Sequence, residues 1–144
     1  MSIFNKNATL EIMNATSKDT LVQHLKIEYT EMGEDFLKGK MPVNPTTHQP
    51  HGVLHGGASV VLAESLGSVA ANMVVDYRKQ YCVGMEINAN HIRPVVEGYV
   101  YGTARPLHLG SKSQVWDIKI ENEEGKLVCV SRLTVAVLDK KQQG

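Results

Sequence analysis

An α+β domain is predicted, with one long helix set among antiparallel strands. Residues Gly56 to about Tyr77 run through apolar and small side chains with no proline and no strand alternation, which reads as a helix. The segments before and after it alternate apolar with polar, as half-buried strands do. At 144 residues, 42% hydrophobic and 21% charged, the chain fits one domain over residues 1–144 that can bury a core without a disulfide or metal.

The first element is a short helix over Thr9 to Ala15, where Leu10, Ile12 and Met13 recur at helical spacing. Leu21 to Tyr29 shows period two, with Leu21, Gln23, Leu25, Ile27 and Tyr29 on one face, and is predicted as a strand. Gly33 precedes a second run, Phe36 to Val43, expected to pair with the first across a tight connection. A loop, Asn44 to Leu54, leads into the long helix. At 100° per residue, Leu62, Leu66, Val69 and Met73 fall on one side of that helix, and Gly57, Val60, Val61, Gly67, Ser68, Ala71 and Val75 surround Glu64 on the other. Both faces call for cover, one from a sheet and the other from a second subunit. Four strands follow, Tyr81 to His91, Gly98 to Pro106, Ser113 to Glu121 and Leu127 to Leu138, the last two joined by a turn at Asn122 to Gly125. Asp139 to Gly144 reads as a frayed tail.

Fifteen basic and fifteen acidic side chains cancel without a basic cluster, which argues against a nucleic-acid surface. No leader-like N-terminus and no unbroken apolar run of about 18 residues is present, so neither export nor a membrane role is expected. Cys82 and Cys129 lie far apart outside any metal-binding spacing and, as free thiols, suit a reducing cytoplasm.

Between Gly56 and Val75 Glu64 is the one ionisable side chain, at a mid-helix position where an apolar residue would avoid a desolvation cost. A carboxylate in a dry pocket there would have a raised pKa and could act as a general base. The plainer alternative is a Glu that reaches solvent or meets Arg93 or Arg132. Just upstream, Gln49 to Gly57 runs into the first turn of the helix, whose N–H groups lack intrahelical partners. Gly56 could therefore donate to a developing oxyanion, with the Gln49 amide as a second donor. The alternative for Gly56-Gly57 is a tight turn and close packing. Ser68, one turn after Glu64, could orient a water or be an ordinary helix hydroxyl.

His48, His51 and His55 invite a metal reading, but Pro50 and Gly52 break the helix that would align them and no metal is expected. No serine has the glycine-flanked turn of a nucleophile elbow. His91-Ile92-Arg93-Pro94 closes one strand, and His108-Leu109-Gly110-Ser111-Lys112-Ser113 connects two others as a small, cationic loop that either holds phosphates or is a solvated hairpin.

His55-Gly56-Gly57-Ala58 leading to Glu64-Ser65, with Gln49-Pro50 before it and Gly84 to His91 after it, resembles the hot-dog-fold acyl-CoA thioesterases of the phenylacetate-catabolism type. In particular the chain resembles bacterial enzymes of that group that hydrolyse aromatic thioesters, including 1,4-dihydroxy-2-naphthoyl-CoA in menaquinone synthesis and misacylated carriers in enterobactin synthesis. The resemblance spans nearly all of Thr9 to Leu138. It implies an antiparallel sheet wrapped around a central helix, and a homo-oligomer, usually a dimer of dimers. It also implies an acyl-CoA or acyl-carrier-protein substrate and no cofactor. Glu64 would attack the thioester carbonyl or activate water, Gln49 and the Gly56 N–H would polarise the carbonyl, His55 would lie near the thioester, and Ser68 would position water. The CoA portion would meet Gly84, His91, Ile92, Arg93, Pro94 and His108, Leu109, Gly110, Ser111, Lys112, Ser113, in part on a neighbouring subunit. Acyl contacts would come from Val61, Ala71, Met73 and Val74. Two other functions suit the same fold: a hydroxyacyl-thioester dehydratase or hydratase using His51 and Glu64, and a non-catalytic acyl-CoA binding module.

Overall fold

A computed structural model describes residues 1–141. In chain order the elements are α1 (Leu10–Ala15), α2 (Leu21–His24), β1 (Glu28–Met32), β2 (Leu37–Val43), α3 (Gly56–Val74), β3 (Gln80–His91), β4 (Gly98–Leu109), β5 (Ser113–Glu121) and β6 (Leu127–Asp139). The six strands form one antiparallel sheet in the order β1-β2-β4-β5-β6-β3, so β3, which follows the helix, crosses to the far edge. Helix α3 packs against β2 through β6. Five strands at about 4.8 Å spacing span more than a helix diameter of about 10–12 Å, so a helix can touch them all only if the sheet curves around it.

Small residues let the helix sit deep. Gly39 of β2 and Gly102 of β4 stand directly opposite each other in the ladder. The two terminal methyls of Leu66 rest over that pair, at 3.0 Å and 2.5 Å from where a Cβ would lie at Gly39 and Gly102. The buried face of α3 is Ala58, Ser59, Leu62, Ala63, Leu66, Gly67, Ala70 and Ala71. Gly67 and Ala71 thus face the sheet, whereas the helical wheel places them beside Glu64, and Val69 and Met73 are only half-buried. In a helix that is apolar nearly all round, side-chain size decides which face approaches the sheet, and the small residues mark it.

The expected strand over Leu21 to Tyr29 is corrected. Leu21–His24 is a helical turn, Lys26 takes a positive φ of 58°, and the strand begins only at Glu28. Leu21 and Leu25 fit both period two and the i, i+4 spacing of a helix, and the Leu25 N–H closes on the Leu21 carbonyl at 3.0 Å. Only Leu25, Ile27 and Tyr29 keep the buried face that the alternation promises.

Helix α3 ends at Val74 rather than Tyr77, because Val75 is extended and the Asp76 carboxylate accepts the Arg78 N–H to form a turn. With 19 residues and a mean hydropathy of 1.3, α3 is long and apolar enough to cross a membrane; here its apolar character is explained by the sheet around it. Strand β4 runs on past Pro106 by means of a bulge at Leu107. Of the expected tail, Asp139 closes β6, and residues 142–144 lie outside the described residues.

Candidate active site

The loop ahead of α3 is folded by its own polar groups. The Gln49 N–H donates to the Val53 carbonyl and the Gly52 N–H to the Gln49 carbonyl, with Gly52 at a φ of 78° that favours glycine. The Gln49 side-chain Oε1 accepts the His51 N–H. That bond fixes the amide: its oxygen is committed to the loop, and Nε2 is the donor left to offer.

His55 is the N-cap of α3, its Nδ1 accepting the Gly57 N–H at 2.8 Å. The neutral tautomer with hydrogen on Nε2 satisfies this bond. With Gly57 capped and the Ala58 and Ser59 N–H groups bonded to the His55 carbonyl, the Gly56 N–H has no partner among the described residues. Gly56 also lacks room for a side chain, since a Cβ there would lie 2.7 Å from Nε2 of His91.

Gln49 and Gly56 line one cleft of about 310 Å³ together with His91, Ile92, Arg93 and Pro94. Arg93 is tethered through Nη1 to the Leu127 carbonyl at 2.7 Å, and its other nitrogens remain available. Val53, Leu54, Ser59 and Val128 also line the cleft, and sequence reasoning does not single them out. Apolar residues such as Val53, Leu54 and Val128, and a buried helix hydroxyl such as that of Ser59, carry no local signal; the fold alone makes them neighbours.

Glu64 is not in this cleft. It lies eight residues beyond Gly56, about 12 Å along the helix at 1.5 Å per residue. Its carboxylate stands against Gly84 of β3, where a Cβ would collide with Oε2. It is half-buried and makes no ion pair among the described residues, so the expected dry pocket is not formed by one chain, nor is the alternative pairing with Arg93 or Arg132. Ser68 lies one turn further on, also half-buried.

The ladder register sorts the remaining residues. Gly84 faces Val135, and Ser113 faces Ala136, so the β4–β5 turn lies at the Gly84 end of β3. His91 faces Cys129, six residues and roughly 20 Å away along β6. Gln49, His55, Gly56 and His91 to Pro94 therefore gather at the N-terminal end of α3, and Glu64 and Ser68, with Gly84 and the turn, lie from the middle of the helix onward. The predicted loop of His108 to Ser113 is a tight hairpin: His108 and Leu109 belong to β4, and Gly110, Ser111 and Lys112 make the turn, closed by the Gly110 N–H on the Ser113 carbonyl at 2.9 Å.

Of the suggested acyl contacts, Ala71 is fully buried against the sheet, while Met73 lines a separate, largely apolar cavity of about 270 Å³ with Ile12 and Tyr77. His48 is held by the Val96 carbonyl at 2.8 Å and His55 by its cap, so the three loop histidines do not converge. Among the described residues, no group of three metal-ligating side chains forms. His51 is exposed on the loop ahead of α3 and is not brought to Glu64. Burial pushes the Cys82 thiol up to about 11 and raises that of Cys129, so neither is poised as a nucleophile.

An antiparallel six-stranded sheet curved around one long helix matches the hot-dog fold of solved thioesterases. Residues 51–129 match the thioesterase superfamily, and the chain belongs to that family. It is 53% identical to the proofreading thioesterase EntH of Cronobacter turicensis over 94% of this chain and 98% of that protein. It is 52% identical to the 1,4-dihydroxy-2-naphthoyl-CoA hydrolase of Escherichia coli K12, over 94% and 99%. A mutant of the thioesterase PA1618 from Pseudomonas aeruginosa superposes with a TM-score of 0.95 at 45% identity, over 96% of this chain and 100% of that one. The protein is a thioester hydrolase acting on acyl thioesters.

Proposed function

We propose that the substrate is an aromatic acyl group carried on CoA or on an acyl carrier protein, and that the site is completed by a second copy of the chain. The observation that carries this is the pair of free donors, Gln49 Nε2 and the Gly56 N–H, on one cleft, with Glu64 about 12 Å down the helix. All three cannot touch one thioester carbonyl within a single chain. A second chain offers the missing half. Strand β3 is a 12-residue edge strand with Tyr81, Val83 and Met85 exposed, a surface that invites pairing. Helix α3 runs alongside β3 in the opposite direction, with Gly56 at His91 and Glu64 at Gly84. A twofold pairing of β3 with its copy carries the N-terminus of one helix toward the Glu64 region of the other. A further pairing of such dimers, as the resemblance implies, would give a tetramer.

In that assembly the donors hold the thioester oxygen. Glu64 either attacks the carbonyl carbon or takes a proton from the water that does so, with Ser68 placed to orient that water. The tetrahedral oxyanion rests on Gly56 and Gln49. As it collapses the C–S bond breaks: where Glu64 has activated water, the proton it took passes to the leaving thiolate, and where Glu64 has attacked, the thiolate takes a proton from solvent and a water then hydrolyses the Glu64 anhydride, so on either route one water converts one thioester to an acid and a thiol. Arg93 and Lys112, with His91 and His108 near them, supply the cationic and polar contacts that a CoA phosphate requires. The aromatic acyl group is supported by the similarity to a naphthoyl-CoA hydrolase, and the carrier-protein option by the similarity to a proofreading thioesterase. Two free buried thiols suit a reducing, cytoplasmic setting.

The test is thiol release from benzoyl-, 1,4-dihydroxy-2-naphthoyl-, phenylacetyl- and straight-chain acyl-CoAs and from an acylated carrier protein. Glu64→Ala should lower turnover by at least about a hundredfold, the scale of acid–base groups. A fully active variant would remove Glu64 from the mechanism, and a preference for straight chains would remove the aromatic assignment.

A further inference from the structure

We propose that Asn72 is a positioning residue for Glu64, fastening the start of β3 to α3 and so setting where Gly84 stands against the catalytic carboxylate. The inference rests on the role given to Glu64 above.

Asn72 interrupts an apolar run in the last turn of α3, where asparagine is a poor helix former. Its side chain is tied three ways. Nδ2 donates to the Ser68 carbonyl at 2.8 Å and to the Cys82 carbonyl at 3.2 Å, and Oδ1 accepts the Cys82 N–H at 2.8 Å. The amide thus takes both backbone groups of one residue on β3, as a neighbouring strand would. A weaker contact from Cys82 Sγ to the Ala71 carbonyl, at 3.6 Å, reinforces the same junction.

Gly84 is two residues, about 7 Å, beyond this anchor. The β3–β6 ladder shifts register between Gly84 and Glu86, so just past Gly84 the sheet itself holds the strand less firmly. The clearance between Gly84 and the Glu64 carboxylate is narrow enough that a single Cβ would close it. The strand's distance from the helix at this point therefore governs where the carboxylate can stand, and Asn72 is the side chain of α3 that fixes that distance by hydrogen bonds. Its bond to the Ser68 carbonyl also braces the turn that carries Ser68.

A double-mutant cycle with the full chain separates positioning from a merely structural role. Thiol release from benzoyl-CoA is measured for the wild type and for Asn72→Ala, Asn72→Asp, Glu64→Ala and the Asn72/Glu64 double variants, with melting temperature and size as controls. Asn72→Ala and Asn72→Asp should each lower kcat about tenfold with KM changed less than about twofold, in line with the cost of a small misplacement of a reacting group. The same substitutions should lower the residual rate of Glu64→Ala by less than about twofold, because nothing is left to position. Asn72→Asp is nearly isosteric and keeps the acceptor for the Cys82 N–H, so it carries the test if the alanine variant fails to fold. An equal loss in both backgrounds, or an unchanged kcat, overturns the inference while leaving Glu64 in place. Full activity of Glu64→Ala overturns both readings.

Discussion

The carboxylate of Glu64 occupies the space that a side chain at Gly84 would fill. An ideal Cβ at Gly84 meets Oε2 of Glu64 before any other atom, followed by Cδ of the same carboxylate at 3.5 Å and only then by the Leu133 Cδ1 methyl at 3.7 Å. Glycine at this point of β3 thus leaves room for the acid on the neighbouring helix. This places Gly84 with Glu64 and apart from His91 at the other end of the strand.

Gly84→Ala follows directly. The atom displaced is the far end of a flexible side chain, so the fold should tolerate the change and the melting temperature should move by no more than a few degrees. Turnover of benzoyl-CoA should fall by about ten- to a hundredfold, since a carboxylate displaced by about 1 Å loses its attack geometry. Normal kcat in this variant would mean that the resting position of the acid does not matter.

Gln49 offers a sharper comparison than a simple deletion. Because Oε1 is held by the His51 N–H, only Nε2 can face the thioester oxygen. Gln49→Glu keeps the acceptor for His51 and removes the donor, so it should be as damaging as Gln49→Ala, about a hundredfold or more in kcat. Steady-state kinetics of the two variants decide the matter: a Glu variant much more active than the Ala variant would show that the loop bond, not the donor, is what Gln49 contributes.

The division of the site between two copies is testable by mixing. Glu64→Ala and Gln49→Ala chains should each be nearly inactive alone. If donors and acid come from different copies, unfolding the two together and refolding them should restore about a quarter of wild-type activity, because half of the dimers are mixed and each has one intact site of two. No recovery in refolded mixtures of confirmed mixed dimers would place the site within one chain.

Tyr29 provides a handle on stability. It is buried, its hydroxyl donates to the Ser65 carbonyl at 3.4 Å, and burial pushes its pKa up to about 12 from 10.0. The folded state holds this proton more tightly than the unfolded state, so its contribution is full below pH 10 and is lost as pH rises from 10 toward 12. Urea unfolding should show a loss on the order of 2 kcal/mol over that interval that Tyr29→Phe lacks. Identical pH slopes for the two proteins would contradict the burial argument.

The long helix, its one carboxylate and the glycine-led first turn are legible in the amino-acid order alone, because a charge in an apolar run and a helix start with free N–H groups are local features. Strands β5 and β6 are legible too, since alternation over many residues leaves little choice of period. Leu21 to Tyr29 misleads because four residues of apolar spacing fit a helical turn as well as a strand, and the positive φ of Lys26 that ends the turn has no signature in a lysine.

The chain by itself offers the candidate side chains and, through its resemblance, the thioesterase family to which it belongs. How those side chains are distributed is a property of the folded molecule. A helix rises only about 1.5 Å per residue, so eight residues separate the Gly56 donor from the Glu64 acid by about 12 Å. The long crossing that sends β3 to the sheet edge brings Gly84 under the acid and His91 under the donor. Neither the pairing of Gly84 with Glu64 nor the hold of Asn72 on Cys82 is encoded by any local pattern, because each depends on where a strand ten or more residues away comes to rest beside the helix.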